Sequence, residues 1–232
     1  MEKKRQIAAV LILLALIGVI AYRHSTGKDL EKYEASFFDV FDTQTQIIGY
    51  ASSKEQFSEQ MSLIKDKFQY YNDLYDIYHD YEGMNNIKTI NDNAGIQPVK
   101  VDEEIIELLK LGITMDEKTD GNMNIAMGSV LSIWHDYREA GSEDPYSAEL
   151  PPMDELERAA EHTDIHNIVI DEEASTVYLT DPDMSLDVGS IGKGYAVQKV
   201  AEYAKNELGI QYMLFSVGGN VCAIGGHPDG SA

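Results

Sequence analysis

The chain has 232 residues, with 18 Lys and Arg against 40 Asp and Glu, a formal charge of −22, a hydrophobic share of 44% and a single Cys. A chain of this size buries well over half of its unfolded surface, so one or two packed domains are expected and intrinsic disorder is excluded. One Cys supports neither a disulfide framework nor a multi-thiolate metal site, which leaves oxygen or imidazole ligands for any metal. The acidic excess repels phosphate backbones and argues against nucleic-acid binding.

The charge is unevenly spread. Lys3, Lys4, Arg5, Arg23 and Lys28 share the first 28 residues with one acid, Glu2, so residues 29–232 carry 13 basic and 39 acidic groups and a charge of −26. Between the basic flanks, Ile7 to Tyr22 is a run of 16 residues without a charge. It is long for a signal-peptide core and short for a membrane span. The basic flank predicts a cytoplasmic start, with everything after Tyr22 across the membrane. Residues 1–28 therefore read as one hydrophobic helix, a signal or cell-membrane anchor, with a tether. Val19 and Ala21 form a weak cleavage site, which leaves anchoring and cleavage both open. Residues 29–232 read as the exported domain.

Residues 24–35 are polar and predict an extended tether. Phe37 to Ala51 alternates and is rich in β-formers, the pattern of a strand or hairpin arm. From Ser53 to Tyr81, Phe57, Met61, Ile64, Phe68, Tyr71 and Tyr75 recur at helical spacing, and the Tyr stripe reads as core with a wet hydroxyl. Asn85 to Gly95 predicts a turn-rich connection, and Asp102 to Lys118 a helix with Glu103 and Glu104 in its first turn. A surface loop then leads to a short helix over Met153 to His162. Asn167–Asp171 and Thr176–Thr180 predict a hairpin, and Met184–Val188 a short strand that enters a glycine-rich turn and a helix over Tyr195–Leu208. Tyr212–Gly219 and Asn220–Gly226 predict two closing strands. No repeat and no regular βαβ rhythm is visible, which favours a single α+β domain with mixed or antiparallel sheets and flanking helices. Pro228-Asp229-Gly230 is a hairpin signal without a following strand, so the chain is expected to be a fragment.

The segment richest in chemistry is Leu186-Asp187-Val188-Gly189-Ser190-Ile191-Gly192-Lys193-Gly194-Tyr195-Ala196. Three glycines at a helix start let backbone N–H groups approach an anion, and Lys193 adds a cation. A tight turn with a solvated Lys explains the same residues equally well. It is not a Walker A loop, since Gly194 stands where Ser or Thr is needed, and its spacing is not that of a dinucleotide Rossmann turn. Asp187 suits a ligand ring or ribose, or a helix cap. Gly218-Gly219-Asn220 suits close ligand approach or a plain hairpin. His135 reads as a surface or core His rather than a general base, and His79, His162, His166 and His227 lack metal-ligand spacing. Cys222, in an apolar strand, reads as a buried inert thiol. No catalytic residue is assigned.

Taken in order, Phe41-Asp42-Thr43, Asp76-Ile77-Tyr78, Thr89-Ile90-Asn91, Gly121 to Gly128 before Leu131 and Trp134, Asp187 to Ala196, and Gly218-Gly219-Asn220 resemble the ApbE family, whose members are FAD:protein FMN transferases. The Asp187-to-Ala196 block is the specific part. The resemblance implies an α+β flavin-transferase domain outside the cytoplasmic membrane. There FMN passes from FAD to a Ser or Thr hydroxyl of an acceptor flavoprotein with Mg²⁺, and AMP leaves. Carried over residue by residue, FAD contacts fall on Phe41, Tyr78, Asn122, Met123, Asn124, Asp187 and Lys193, and a main-chain carbonyl for the metal falls on Ser190. A flavin binder without transfer activity, or a pyrophosphatase giving FMN and AMP, are the alternatives. Three departures stand out: the family pattern continues beyond Ala232 with a strand, a His-x-x-Asp-Pro motif and Asp and Thr metal ligands; Ser190 replaces a common Ala or Gly; and the lipid-bearing Cys of many relatives is absent.

Overall fold

The computed structural model describes residues 30–231. The hydrophobic run Ile7 to Tyr22 and its basic flank lie outside these residues, and among the described residues no helix is long and apolar enough to cross a membrane.

Two antiparallel sheets carry the fold. The larger pairs β1 (Glu31–Val40), β2 (Thr43–Ala51), β6 (Met213–Val217) and β7 (Asn220–Ile224) in the order β1-β2-β6-β7. The smaller pairs β3 (Val99–Lys100), β5 (Thr176–Leu179) and β4 (Ile168–Asp171) in the order β3-β5-β4. The α+β architecture, the β4–β5 hairpin and the two closing strands are those the sequence predicts. β1, however, begins inside the stretch read as a tether, because Tyr33, Ala35 and Phe37 pack on the core while Glu31, Lys32 and Glu34 face out and mask the alternation.

Helix α1 (Lys54–Tyr75) covers the larger sheet. The Ser53 side chain caps it by accepting the Gln56 N–H, and the six apolar residues of its predicted stripe are all buried, Phe68 edge-on to Phe215 of β6. The helix stops six residues before the predicted Tyr81. The Asp76 carboxylate accepts the N–H groups of Tyr78 and His79 at 2.6 and 3.2 Å and turns the chain aside.

The predicted connection over Asn85–Gly95 contains a helix, α2 (Ile87–Asp92), closed by a capping box between Asn86 and Thr89. Helix α3 (Glu103–Lys118) starts on the Asp102 cap as expected and buries Ile105, Ile106, Leu108 and Leu109. Helix α4 (Gly128–Glu143) grows from the glycine-punctuated segment, and α5 (Met153–Ala160) follows the surface loop. Helix α6 (Gly192–Asn206) begins three residues earlier than predicted. It is tied to α3 by Lys199, which reaches Glu104 at 3.0 Å and Glu107 at 2.6 Å. Cys222 is half-buried rather than buried, on the edge strand β7 with its sulfur 3.8 Å from Gln198 of α6.

Met184–Val188 is extended, with Met184, Leu186 and Val188 buried, yet it joins neither sheet. Its backbone is paired by other means. The Asn91 side chain accepts the Leu186 N–H at 2.7 Å and donates to the Leu186 carbonyl at 3.0 Å. On the other side, the Asp187 N–H donates to the Ile125 carbonyl and the Gly128 N–H to that of Ser185. A Cβ on Gly128 would lie 2.6 Å from the Ser185 carbonyl oxygen, so only glycine admits this approach.

Replacing Asn91 by Ala strands two polar groups of a fully buried residue. The expected cost is about 2–4 kcal/mol, read as a lower urea midpoint at unchanged m. A loss below about 0.5 kcal/mol would show that the amide clamp does not hold the segment.

Candidate functional site

The β1–β2 turn, the end of α1, the loop after it, the segment from Asp187 and the start of α6 line one cleft of about 640 Å³. A second cleft of about 530 Å³, walled by Trp134, Tyr137 and Leu150, adjoins it and shares Tyr78, Arg138 and Asp187. Volumes of this size suit a small-molecule ligand or cofactor.

One end is built to meet an anion. Both Ile191 and Gly192 donate their N–H to the Val188 carbonyl, at 3.1 and 2.7 Å, so the chain enters α6 with no side-chain cap. Among the described residues, the N–H groups of Lys193 and Gly194 have no hydrogen-bond partner, as expected for the first turn of a helix. The Lys193 ammonium has no ion-pair partner there either, whereas Lys32, Lys65, Lys88, Lys110, Lys199 and Arg158 each pair with a carboxylate. Free N–H groups, the positive end of the helix and an unpaired ammonium are groups that can meet an anion. Asp187 does not cap the helix. Its Oδ1 accepts the Gly189 N–H at 2.8 Å and fixes the turn.

The other end is aromatic. Tyr78 is half exposed, with its ring 5.1 Å from that of His135. Burial first, and then the Asp187 carboxylate, push its hydroxyl pKa up, so it stays a neutral donor. Arg138 donates to Nδ1 of His135 at 2.9 Å, which leaves the His135 Nε2 proton to face Glu139 at 3.0 Å.

Phe41 and Asp42 form the cleft's rim with φ of 54° and 49°. A two-residue hairpin turn with both residues left-handed usually takes Asn or Gly, and a bulky residue there is strained. The turn is held by the Phe41 N–H, which donates to Asn72 of α1 at 2.7 Å. The facing β6–β7 turn, Gly218-Gly219, also has positive φ at both residues, and a Cβ on Gly218 would lie 2.5 Å from the Thr43 hydroxyl. The turn joins β6 to β7 as a hairpin.

Of the residues singled out by sequence, Phe41, Tyr78, Asp187 and Lys193 share the first cleft. Ser190 is exposed in the turn between Asp187 and α6, and among the described residues its carbonyl accepts no hydrogen bond. Asn122, Met123 and Asn124 line neither cleft. Asn122 donates to the Thr119 carbonyl, Met123 packs on the core, and Asn124 bridges the Ala126 N–H and the Thr163 carbonyl. Sequence reasoning left Asp76, His79 and Arg138 unassigned, although they line the cleft. Only the proximity of Asp76 and His79 to Tyr78 in sequence pointed to the first two.

Away from the cleft, His162, Asp181 and Asp183 bring ligand atoms within 4.8 Å of one another. His162 Nδ1 already lies 2.9 Å from Asp181 Oδ2, a bond that raises the imidazole pKa against burial and lowers that of the carboxyl.

The ApbE family pattern matches residues 41–232. The FAD:protein FMN transferase of Klebsiella pneumoniae (strain 342) is 25% identical over 186 residues, 80% of this chain and 56% of that protein. That of Escherichia coli (strain K12) is 24% identical over 170 residues, 72% and 47% of the two chains. The chain thus spans about half the length of these curated relatives. The crystal structure of the ApbE protein from Thermotoga maritima superposes with a TM-score of 0.69 at 25% identity, covering 85% of this chain and 60% of that one. The flavin transferase ApbE from Vibrio cholerae gives 0.70 at 20% identity, covering 87% and 62%.

Two outcomes follow from the geometry. Asp42→Gly relieves one left-handed residue and is expected to raise the urea midpoint by the equivalent of about 0.5–1 kcal/mol; an unchanged or lower midpoint would show that the rim stores no strain. The His162–Asp181 pair stabilises fully below the ordinary imidazole pKa and loses its contribution as pH rises through the raised value. On the acid side it fades as pH falls through the lowered carboxyl pKa. His162→Gln should therefore cost more stability near about pH 5.5 than near about pH 9, and an equal loss at both would count against the ion pair.

With the pattern matched over most of its length and the fold shared with solved relatives, the chain belongs to the ApbE family.

Proposed function

We propose that the protein binds FAD in the joined clefts and transfers its FMN part to a Ser or Thr hydroxyl of an acceptor flavoprotein. The observation that carries the reading is the uncapped start of α6 with Lys193, which lines the same cleft as Tyr78. The diphosphate would lie at the Lys193 and Gly194 N–H groups and the Lys193 ammonium, and the aromatic end would take a flat ring system. The relatives named FAD:protein FMN transferase support this choice of ligand.

In the transfer, the acceptor hydroxyl gives its proton to solvent as its oxygen forms a bond to the FMN phosphorus, the bond from that phosphorus to the bridging oxygen breaks, and AMP leaves with that oxygen. Lys193 and the α6 amides hold phosphate oxygens in place and offset the charge that grows on them. Asp187 keeps the turn in shape through Gly189. A hard divalent cation such as Mg²⁺ fits the free carbonyl of Ser190, and when bound it would supply Lewis-acid neutralisation of the diphosphate. The basic flank and apolar run at the N-terminus support an extracytoplasmic, membrane-tethered or exported location.

Incubating the protein with FAD, Mg²⁺ and candidate acceptor domains should add the mass of one FMN to an acceptor. FAD bound intact with no adduct on any acceptor would favour a binder, and free FMN and AMP would favour a pyrophosphatase. Lys193→Ala is expected to weaken FAD by about tenfold or more and riboflavin by less than about twofold, measured by fluorescence titration. Equal losses would place Lys193 away from the phosphates.

A further inference from the structure

One titratable side chain in the cleft has no part in the reading above. His79 is held at both ends of its backbone. Its N–H donates to Asp76 Oδ1 at 3.2 Å, and its carbonyl accepts from the fully buried Asn86 at 2.9 Å. The ring is held as well, with Nδ1 2.9 Å from Asp76 Oδ2.

Asp76 itself is 11% exposed and receives the Tyr81 hydroxyl at 2.7 Å and the Tyr78 N–H at 2.6 Å. Burial opposes its ionisation, but these donors and the His79 ring outweigh it and hold the carboxyl below the ordinary carboxylate range. A permanent anion on Nδ1 fixes which edge of the imidazole is inside. Nε2 is left as the free edge of a side chain that is 74% exposed and lines the same cleft as Gly192 and Lys193.

The charges that face this ring explain what the free edge could do. Asp76 and Tyr81 stand on its own side, with the Tyr78 ring 6.4 Å away. The same cleft is lined by Lys193 of α6, Asp187, Arg138 of α4, and Asp39 and Asp42 of the hairpin rim. Asp39 is taken by Lys65, and Arg138 is directed to His135. Lys193 and Arg138 are the two fixed cations among the described lining residues, and among those residues neither pairs with a carboxylate. An imidazole is the side chain that can gain a positive charge between about pH 8 and about pH 5.

We propose that His79 is a protonation-dependent contact for the diphosphate of the bound dinucleotide, oriented by Asp76. As an imidazolium it donates from Nε2 to a phosphate oxygen while Nδ1–H stays on Asp76, so affinity for the phosphorylated ligand rises as pH falls. The inference rests on the flavin reading of the cleft only for the ligand's name, since the chemistry it needs is a diphosphate diester.

The test is a calorimetric titration of the full 232-residue chain, without divalent metal, at about pH 8 and about pH 6. FAD, riboflavin and ADP-ribose are the probes. The two diphosphate diesters keep a constant charge over this range, and ADP-ribose carries no flavin. FAD affinity is expected to rise roughly three- to tenfold at the lower pH, with riboflavin unchanged and the rise absent in His79→Gln. Because the ring is exposed, the variant should keep the parent urea midpoint, which is checked alongside. A rise for ADP-ribose that His79→Gln abolishes, with no FAD binding, would support the His79 contact and remove the flavin reading. The same rise in parent and variant, a parallel rise for riboflavin, or no binding of either diester would overturn it.

Discussion

Two side-chain amides at the ends of a six-residue helix hold the cleft open. Asn86 caps α2, and its amide donates to the carbonyls of Asp73 at 3.1 Å and His79 at 2.9 Å, which fixes the loop after α1. Asn91, five residues on, pairs both backbone groups of Leu186 and fixes the segment that enters the glycine turn. A helix this short is not stable alone, so it is kept by these bonds and by buried Ile87 and Ile90. One wall of the cleft, with Tyr78, is hung from Asn86, and the other, with Asp187 and Lys193, from Asn91. Strand pairing supplies neither.

The electrostatic design follows from a strongly acidic body. Among the described residues, five lysines are held by neighbouring carboxylates, and in the cleft the acids Asp39, Asp42, Asp76 and Asp187 outnumber the cations Lys193 and Arg138. An anionic dinucleotide can be held there only where backbone N–H groups, an unpaired ammonium or an added cation outweigh those acids. The uncapped start of α6 meets that need without a further charged side chain. Helices α1, α2 and α3 are capped by side chains, whereas α4, α5 and α6 are not.

What the sequence made legible is what local periodicity encodes. The stripe of α1, the capped start of α3, the β4–β5 hairpin and the pair of closing strands are each written in spacing or in turn residues. β1 was hidden because its outward face is charged, and α2 because a capping box of Asn86 and Thr89 in a run of polar residues looks like a turn. Met184–Val188 carries the apolar alternation of a strand and is buried like one, but its partners are the Asn91 side chain, the Ile125 carbonyl and the Gly128 N–H, all far along the chain. The gathering of Phe41, Tyr78, Asp187 and Lys193 came only from the order of family motifs, since four segments so distant in sequence share no periodicity. Asp76 and His79 stayed unassigned because their role depends on a carboxylate that ends one helix and orients a ring, a relation visible only in three dimensions.

In the proposed function the start of α6 receives the diphosphate of FAD. Amide chemical shifts of the ¹⁵N-labelled protein during FAD titration test it most directly. Large, saturable shifts are expected at Gly192, Lys193 and Gly194, with smaller ones for riboflavin at the same residues. Saturable FAD binding that leaves these three amides unmoved would contradict it.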